Sequence, residues 1–434
     1  MSRFQILTVI VCVAATVVDG FDLIMVTFLA PQISAEFALS ASLLGVVLAA
    51  ATGGMVIGAA ALTPLADRTG RRPIILASLA LGAVGMLVSA LSPDVAGLVC
   101  GRVITGIGIG GVIGSVGVLL NEYSSRRRYG LIMGIFASGI GLGGTLAGGL
   151  TAPVVAAFGW RGGLVAGAIV TALALVVAAV ALAESLEYLA AHPSERSLHR
   201  TNQILRRMGH EPLTELPPVA KRTAAPIRGV FVGRAGRLTV LAMVGFGTLQ
   251  ISFYFVTFWM PQVVSLLGAP GLAVAVSMGM GLGAVVGSLA FGILSTWISR
   301  GALTAVMIAL GALALAGMAF VTAAPNALVV LAITTTLMGS AGIAGYYAIV
   351  PNIYSARMRG TGFGAVLAVG RLAAFTSPII GGWLIDARLG FVGVFVAFSA
   401  PLLIAAVVTV VIASMGRRRE SEDTPSATPT LESA

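Results

Sequence analysis

The sequence predicts an all-α membrane protein whose twelve transmembrane helices form two pseudo-symmetric six-helix bundles. Three observations predict it. Of its 434 residues, 58% are hydrophobic and only 10% charged, far from the balance of a soluble domain. Apolar stretches of about 20 residues or more, the length an α-helix needs to cross a hydrocarbon core about 30 Å thick, recur along the whole chain. The segment VTFLAPQI at 26–33 also returns as VTFWMPQV at 256–263, so the second half reads as a copy of the first at a constant offset.

The first span, 6–30, is too long for a cleavable signal peptide, carries Asp19 and Asp22, and runs into FLAPQIS rather than a small-residue cleavage site. It stays as a helix. Spans at 43–65, 74–92, 95–120, 129–152 and 162–183 complete an N-terminal bundle over residues 1–183. Residues 184–237 then turn polar and proline-containing and predict a linker with one short surface helix. The second bundle, 238–416, holds spans at 238–264, 272–297, 303–322, 327–352, 361–384 and 391–415, and the tail 417–434 has a disordered composition. His192, His199 and His210 lack ligand spacing and sit among arginines, so no metal is expected. Cys12 and Cys100 both fall inside spans, which argues against a disulfide framework.

The net charge of +10 has a topological explanation. Arg68, Arg71 and Arg72, Arg126 to Arg128, the linker, Arg300, Arg357 and Arg359, and Arg417 to Arg419 occupy alternate connections, whereas the opposite ones hold only Arg161 and Arg388. The positive-inside rule then puts both termini and the linker in the cytoplasm, with no nucleic-acid partner required. The strings GIGIGG at 106–111 and GIGLGG at 139–144 match a dinucleotide fingerprint, but neither follows a strand, and close helix packing explains them better. No P-loop and no nucleophile–base–orienter set occurs, so the chain does not read as an enzyme.

Four ionisable residues lie deep in spans: Asp19, Asp22, Arg102 and Arg371. Such residues are costly in hydrocarbon and usually face a cavity or one another. Spacing i, i+3 puts the two acids on one helical face. Asp22 precedes Pro31 by nine residues and Arg102 follows Asp94 by eight, so each lies about 12–14 Å from its helix end and the two can meet if spans 1 and 4 adjoin. Two carboxylates sharing a low-dielectric site do not both ionise readily, while Arg102 favours their charged forms; together they suit a proton carrier. Arg371, with its planar fork of donors, suits a carboxylate ligand. Structural ion pairs that lock helices together are the alternative reading of all four. At the repeat offset Asp19 falls on Leu249 and Asp22 on Ser252, so the repeated helix forms without acids.

The connection LADRTGRRP at 65–73 resembles the G-x-L-x-D-R-x-G-R-R loop of the major facilitator superfamily through Leu65, Asp67, Arg68, Gly70, Arg71 and Arg72, with Thr63 in the leading glycine position. Read physically, it is a tight turn whose acid and arginines pair at helix ends, which suits a gate. Within that superfamily, DGFD at 19–22, the following FLAPQI, GRVITGIGIGG, NEYSSRRRYG and RGTGFGAVLAVGR are similar to the aromatic acid:proton symporter family over spans 1 to 11. The resemblance implies import of benzoate, 4-hydroxybenzoate, protocatechuate or a related acid across a bacterial inner membrane by alternating access, with no cofactor beyond the proton gradient. It implies that Asp19 and Asp22 match the family's helix 1 acids needed for transport; with Arg102, assigned from its depth and charge, they make up the expected proton-coupling set. Substrate contact is then expected from Arg371 and from rings on cavity-lining helices, namely Phe21, Phe253, Trp259, Tyr346 and Tyr347, with a monomer as the working unit. Another organic acid, a nonaromatic solute or a nontransporting sensor on the same fold stay open.

Overall fold

Caps written in the sequence open the first helices. In the computed structural model, which describes residues 1–125, 129–216, 227–355 and 358–422, α1 (Arg3–Glu36) starts at a capping box. Gln5 N donates to Ser2 Oγ at 3.2 Å and Ser2 N donates to Gln5 Oε1 at 2.8 Å. Ser40 and Asp94 cap α2 (Ala41–Thr69) and α4 (Val95–Tyr123). Between α2 and α3 (Arg71–Leu91) stands Gly70 at φ 107°, a conformation other residues rarely adopt. The helical run Tyr129–Ala181 is broken at Gly159 (φ 66°, ψ −172°) into α5 (129–158) and α6 (160–181). Eleven long apolar helical runs therefore contain the twelve expected spans, and no strand occurs among the described residues. Arg126, Arg127, Arg128, Arg357, linker residues 217–226 and the tail from 423 onward lie outside the described residues.

The linker departs from expectation, because it holds two helices rather than one: α7 (Leu186–Ala191) and α8 (Glu195–Met208). Each begins at a serine whose hydroxyl accepts from the backbone three residues on: Ser185 from Tyr188 N and Ser194 from Ser197 N. The C-terminal bundle comprises α9 (Gly233–Leu266), α10 (Ala273–Leu294), α11 (Arg300–Gly317), α12 (Pro325–Ile349), α13 (Arg359–Asp386) and α14 (Gly390–Glu422). Pro31 does not end the first helix, and its repeat partner Pro261 is likewise inside α9. Proline is tolerated inside membrane-spanning helices, so neither residue marks a boundary.

The two bundles repeat one packing scheme. In each, the first helix packs on the fifth (α1 on α5, α9 on α13), and the fourth packs on the second and third (α4 on α2 and α3, α12 on α10 and α11). The scheme depends on small residues. A Cβ on Gly54 or Gly58 of α2 would strike the backbone of Val103 or Ile107, and one on Gly106 or Gly110 of α4 would strike that of Ala51 or Met55. GIGIGG is thus a helix-packing surface.

Between bundles, α2 lies against α13 and α5 against α10. These contacts gather at mid-depth and toward the face remote from the chain termini. There Gly382 abuts the backbone of Ala41, Gly148 abuts Met278, and the Asp386 carboxylate accepts from Ala41 N at 3.0 Å and Ser42 N at 2.8 Å. Among the described residues α4 and α12 do not form a packed pair. The bundles are closed on the distal face and parted toward the face that bears the termini.

Candidate functional site

Helix α1 delivers both acids to the bundle interior, where Asp19 is 3% and Asp22 1% exposed. Thr171 Oγ1 on α6 donates to the Asp22 carboxylate at 3.0 and 3.2 Å. On the other side Gly82 of α3 leaves room: a Cβ there would lie 3.8 Å from Asp22 Oδ2. Arg102, fully buried on α4, donates its Nη2 to the backbone carbonyl of Asp22 at 3.1 Å. The meeting of spans 1 and 4 inferred from depth is therefore present, but not as a carboxylate–guanidinium pair within 4.0 Å. Arg102 Nε and Nη1 and Asp19 Oδ2 are buried without hydrogen-bond partners. Buried polar groups are normally satisfied, and each orphan costs about 1–3 kcal/mol. An ion-pair lock would consume these atoms; here Asp19 Oδ2 can accept a proton, and the two Arg102 N–H groups can donate to a water.

Arg371 sits at mid-depth on α13, half-buried, with Nη1 3.0 Å from Met55 Sδ of the opposite bundle. No carboxylate lies within 4.0 Å of it among the described residues. Tyr254 of α9 and Tyr347 of α12 are both close enough to feel its charge. Tyr347 keeps 43% of its surface open although it lies deep among the helices, as a cavity-lining side chain does, and its ring stands 5.6 Å from Phe363 and 6.1 Å from Phe246. Phe253 is half-buried, with its ring 5.6 Å from Tyr254.

The other rings named from sequence have packing partners. Trp259 is fully buried and donates Nε1 to the Pro378 carbonyl at 3.0 Å. Tyr346 is buried with its hydroxyl 2.9 Å from Thr409 Oγ1. Phe21 is buried in the α1–α5 seam, behind an apolar groove lined by Val17, Ile135 and Leu146. In this conformation the structure brings Arg371 and Tyr347 into one neighbourhood, reaches Phe253 only through Tyr254, and leaves Trp259, Tyr346 and Phe21 in the packed interior. Sequence reasoning missed Thr171, Met55 and Gln250. A lone threonine or methionine in a span carries no signal, but a glutamine in an apolar run does.

The gate loop is tied to the start of the linker. Arg71 N and Arg72 N donate to Glu184 Oε1 at 2.9 and 3.1 Å, and Arg71 Nη1 donates to Glu122 Oε1 at 2.7 Å and to Ser185 Oγ. Arg71 Nη2 lies 3.4 Å from Asp67 and 3.7 Å from Glu187, while Arg72 Nη2 donates to the Ala179 carbonyl at 2.5 Å. Arg68 is exposed. The acids that complete this cluster are far away in sequence, so the motif gave no hint of them.

Comparison with known proteins supplies a context. A family model described as Major Facilitator Superfamily matches residues 12–335. The chain is 28% identical to a gallate transporter of Pseudomonas putida, over 94% of this chain and 91% of that protein. It is 28% identical to the 4-hydroxybenzoate transporter PcaK of the same organism (95% and 93% covered) and 26% identical to the 3-(3-hydroxy-phenyl)propionate transporter of Escherichia coli K12 (95% of each). Its fold matches the xylose transporter XylE from E. coli in a partially occluded inward open conformation, at a TM-score of 0.73 and 18% identity, over 96% of this chain and 98% of that one.

Proposed function

The chain belongs to the major facilitator superfamily, and from that premise we propose that it imports an aromatic carboxylate of the hydroxybenzoate class together with protons across a bacterial inner membrane. The observation that carries the substrate class is Arg371: a guanidinium at mid-membrane with no carboxylate within 4.0 Å among the described residues, and with two tyrosines within reach of its charge. A monocarboxylate supplies the missing charge in bidentate form, and the aromatic neighbours take its ring. The relatives named above, whose names give hydroxylated aromatic acids as their substrates, support the same class.

Coupling falls to the first bundle. With the distal face open, a proton neutralises the Asp19/Asp22 site and the acid docks at Arg371; the bundles then rock, the distal face closes as in this structure, and proton and acid leave on the cytoplasmic side. Both termini and the linker lie on that side in this scheme, and the working unit is a monomer that needs no cofactor. The gate loop, through Asp67, Arg71 and Arg72, biases which face is open.

Reconstitution tests the whole reading. Proteoliposomes should accumulate at least one of 4-hydroxybenzoate, benzoate, protocatechuate or gentisate when an inward proton gradient is imposed, and not without it. Asp19→Asn and Asp22→Asn should each abolish concentrative uptake while the protein still inserts and folds. Near-normal accumulation by both variants would remove the proposed proton site, and binding without flux would point to a sensor.

A further inference from the structure

The buried glutamine of α9 has no assigned role. Gln250 is 7% exposed, and its Oε1 has no hydrogen-bond partner. Its surroundings follow from the repeat. In the first bundle Gly20 of α1 lets the backbone of Ile140 on α5 come into direct contact; at the repeat offset these two positions become Gln250 on α9 and Gly370 on α13. Large and small have changed places. A Cβ on Gly370 would lie 3.3 Å from Gln250 Cγ and would strike the Phe246 ring, so α13 has given up its side chain where the glutamine stands. Mere filling of that space calls for leucine or methionine; an amide with an orphaned oxygen costs stability unless something completes it.

The location indicates what completes it. Gly370 immediately precedes Arg371, and Gln250 lies one helical turn from Phe246 on one side and from Tyr254 on the other, along the α9 stripe that meets α13 and Tyr347. The amide thus borders the neighbourhood that Arg371, Tyr254 and Tyr347 form. We infer that Gln250 is a specificity-determining residue that recognises a ring hydroxyl of the substrate, so that the carrier prefers hydroxylated aromatic acids to plain benzoate. This rests on the functional reading above and sharpens its substrate class. With the carboxylate on Arg371, the phenolic O–H donates to Gln250 Oε1, and the amide N–H can in turn donate to the phenolic oxygen. Benzoate leaves the amide unsatisfied, and sites built to hydrogen-bond a hydroxyl discriminate strongly against the analogue that lacks it.

The test is a competition experiment in proteoliposomes, with 4-hydroxybenzoate, 3-hydroxybenzoate and benzoate as probes, on the full-length protein and on Gln250→Met and Gln250→Leu. The wild-type chain should favour a hydroxylated acid over benzoate. Both variants should bring that preference to near parity, through a rise of about tenfold in KM for the hydroxylated acid with benzoate KM and turnover little changed. An unchanged preference in either folded variant, or an equal loss for all three acids, would overturn the role of Gln250 and leave the aromatic-acid reading standing. Absence of flux of every probe in the wild-type protein would instead overturn that reading and this inference with it.

Discussion

Replacing Asp386 by alanine should shift the balance between the two faces of the carrier. Its carboxylate, at the distal end of α13, accepts from Ala41 N and Ser42 N at the start of α2 and so ties one bundle to the other only while the distal face is closed. Hydrogen bonds to a charged group reach about 1.5–3 kcal/mol when dry, and a carboxylate at a helix N-terminus gains a further 0.3–1 kcal/mol or so from the helix dipole. Here Asp386 is exposed and Ala41 and Ser42 are half-buried, water can replace the carboxylate, and Ser40 Oγ still accepts from Leu43 N when the bundles part. A net value of about 1 kcal/mol remains, which is about a fivefold change in the equilibrium between distal-closed and distal-open states. Spin labels at Leu43 and Trp383, which line the same groove across the closed seam, would read it as a distance distribution. Asp386→Ala should populate the longer distance about fivefold more, Asp386→Asn, which keeps one acceptor, should fall between, and apparent affinity from the distal side should rise in the same order. Identical distributions in all three proteins would show that the carboxylate is not a latch.

Other residues give separate readouts. Arg371→Lys keeps the charge but loses the planar fork, and should raise KM for the transported acid about tenfold while the protein stays folded, as checked by initial uptake rates. Arg71→Ala leaves Glu122, whose side chain is 11% exposed, without the guanidinium 2.7 Å away, and should cost about 3 kcal/mol, seen as a lowered Tm in detergent that Glu122→Gln partly restores. Gly106→Val forces a side chain onto the Ala51 backbone and should separate α2 from α4 at a cost of about 3 kcal/mol, measured as loss of a monodisperse, heat-stable species. A fully stable Gly106→Val protein would refute the packing role of the glycine string.

Much of the architecture is legible in the sequence because membrane spans and buried charges are costly and therefore conspicuous. The twelve spans, the repeat, and the approach of Asp22 to Arg102 all follow from hydropathy, offset and depth. The rotation of each helix does not. Helix α9 is apolar almost all round, so nothing in its pattern distinguishes Trp259, turned onto Pro378, from Tyr254, which lies within reach of the Arg371 charge. The linker helices were underestimated because the caps at Ser185 and Ser194 sit in a segment whose polarity reads as coil. Glu184 was invisible as a partner of Arg71 and Arg72 because more than a hundred residues separate them.

The repeat also offers an internal control for the acids of α1. Asp22 meets α6 through Thr171, and its counterpart Ser252 meets α14 through the Phe398 carbonyl, to which it donates at 2.6 Å. The same helix pair is joined in both bundles, in the second by a neutral hydrogen bond. Asp19 has Leu249 as its counterpart, fully buried in the C-terminal core. The scaffold therefore needs a carboxylate at neither position. In the first bundle two have been kept, with Arg102 buried beside them and three polar atoms of Asp19 and Arg102 unpartnered. Ser252, by contrast, has its hydroxyl paired within the protein. Carboxylates that the repeat does without thus stand in one bundle only, and Arg371, with no carboxylate within 4.0 Å among the described residues, stands in the other. Such a division suits the proposed coupling, because a proton and an acid bound on opposite sides of the same seam can both bias the same rocking motion.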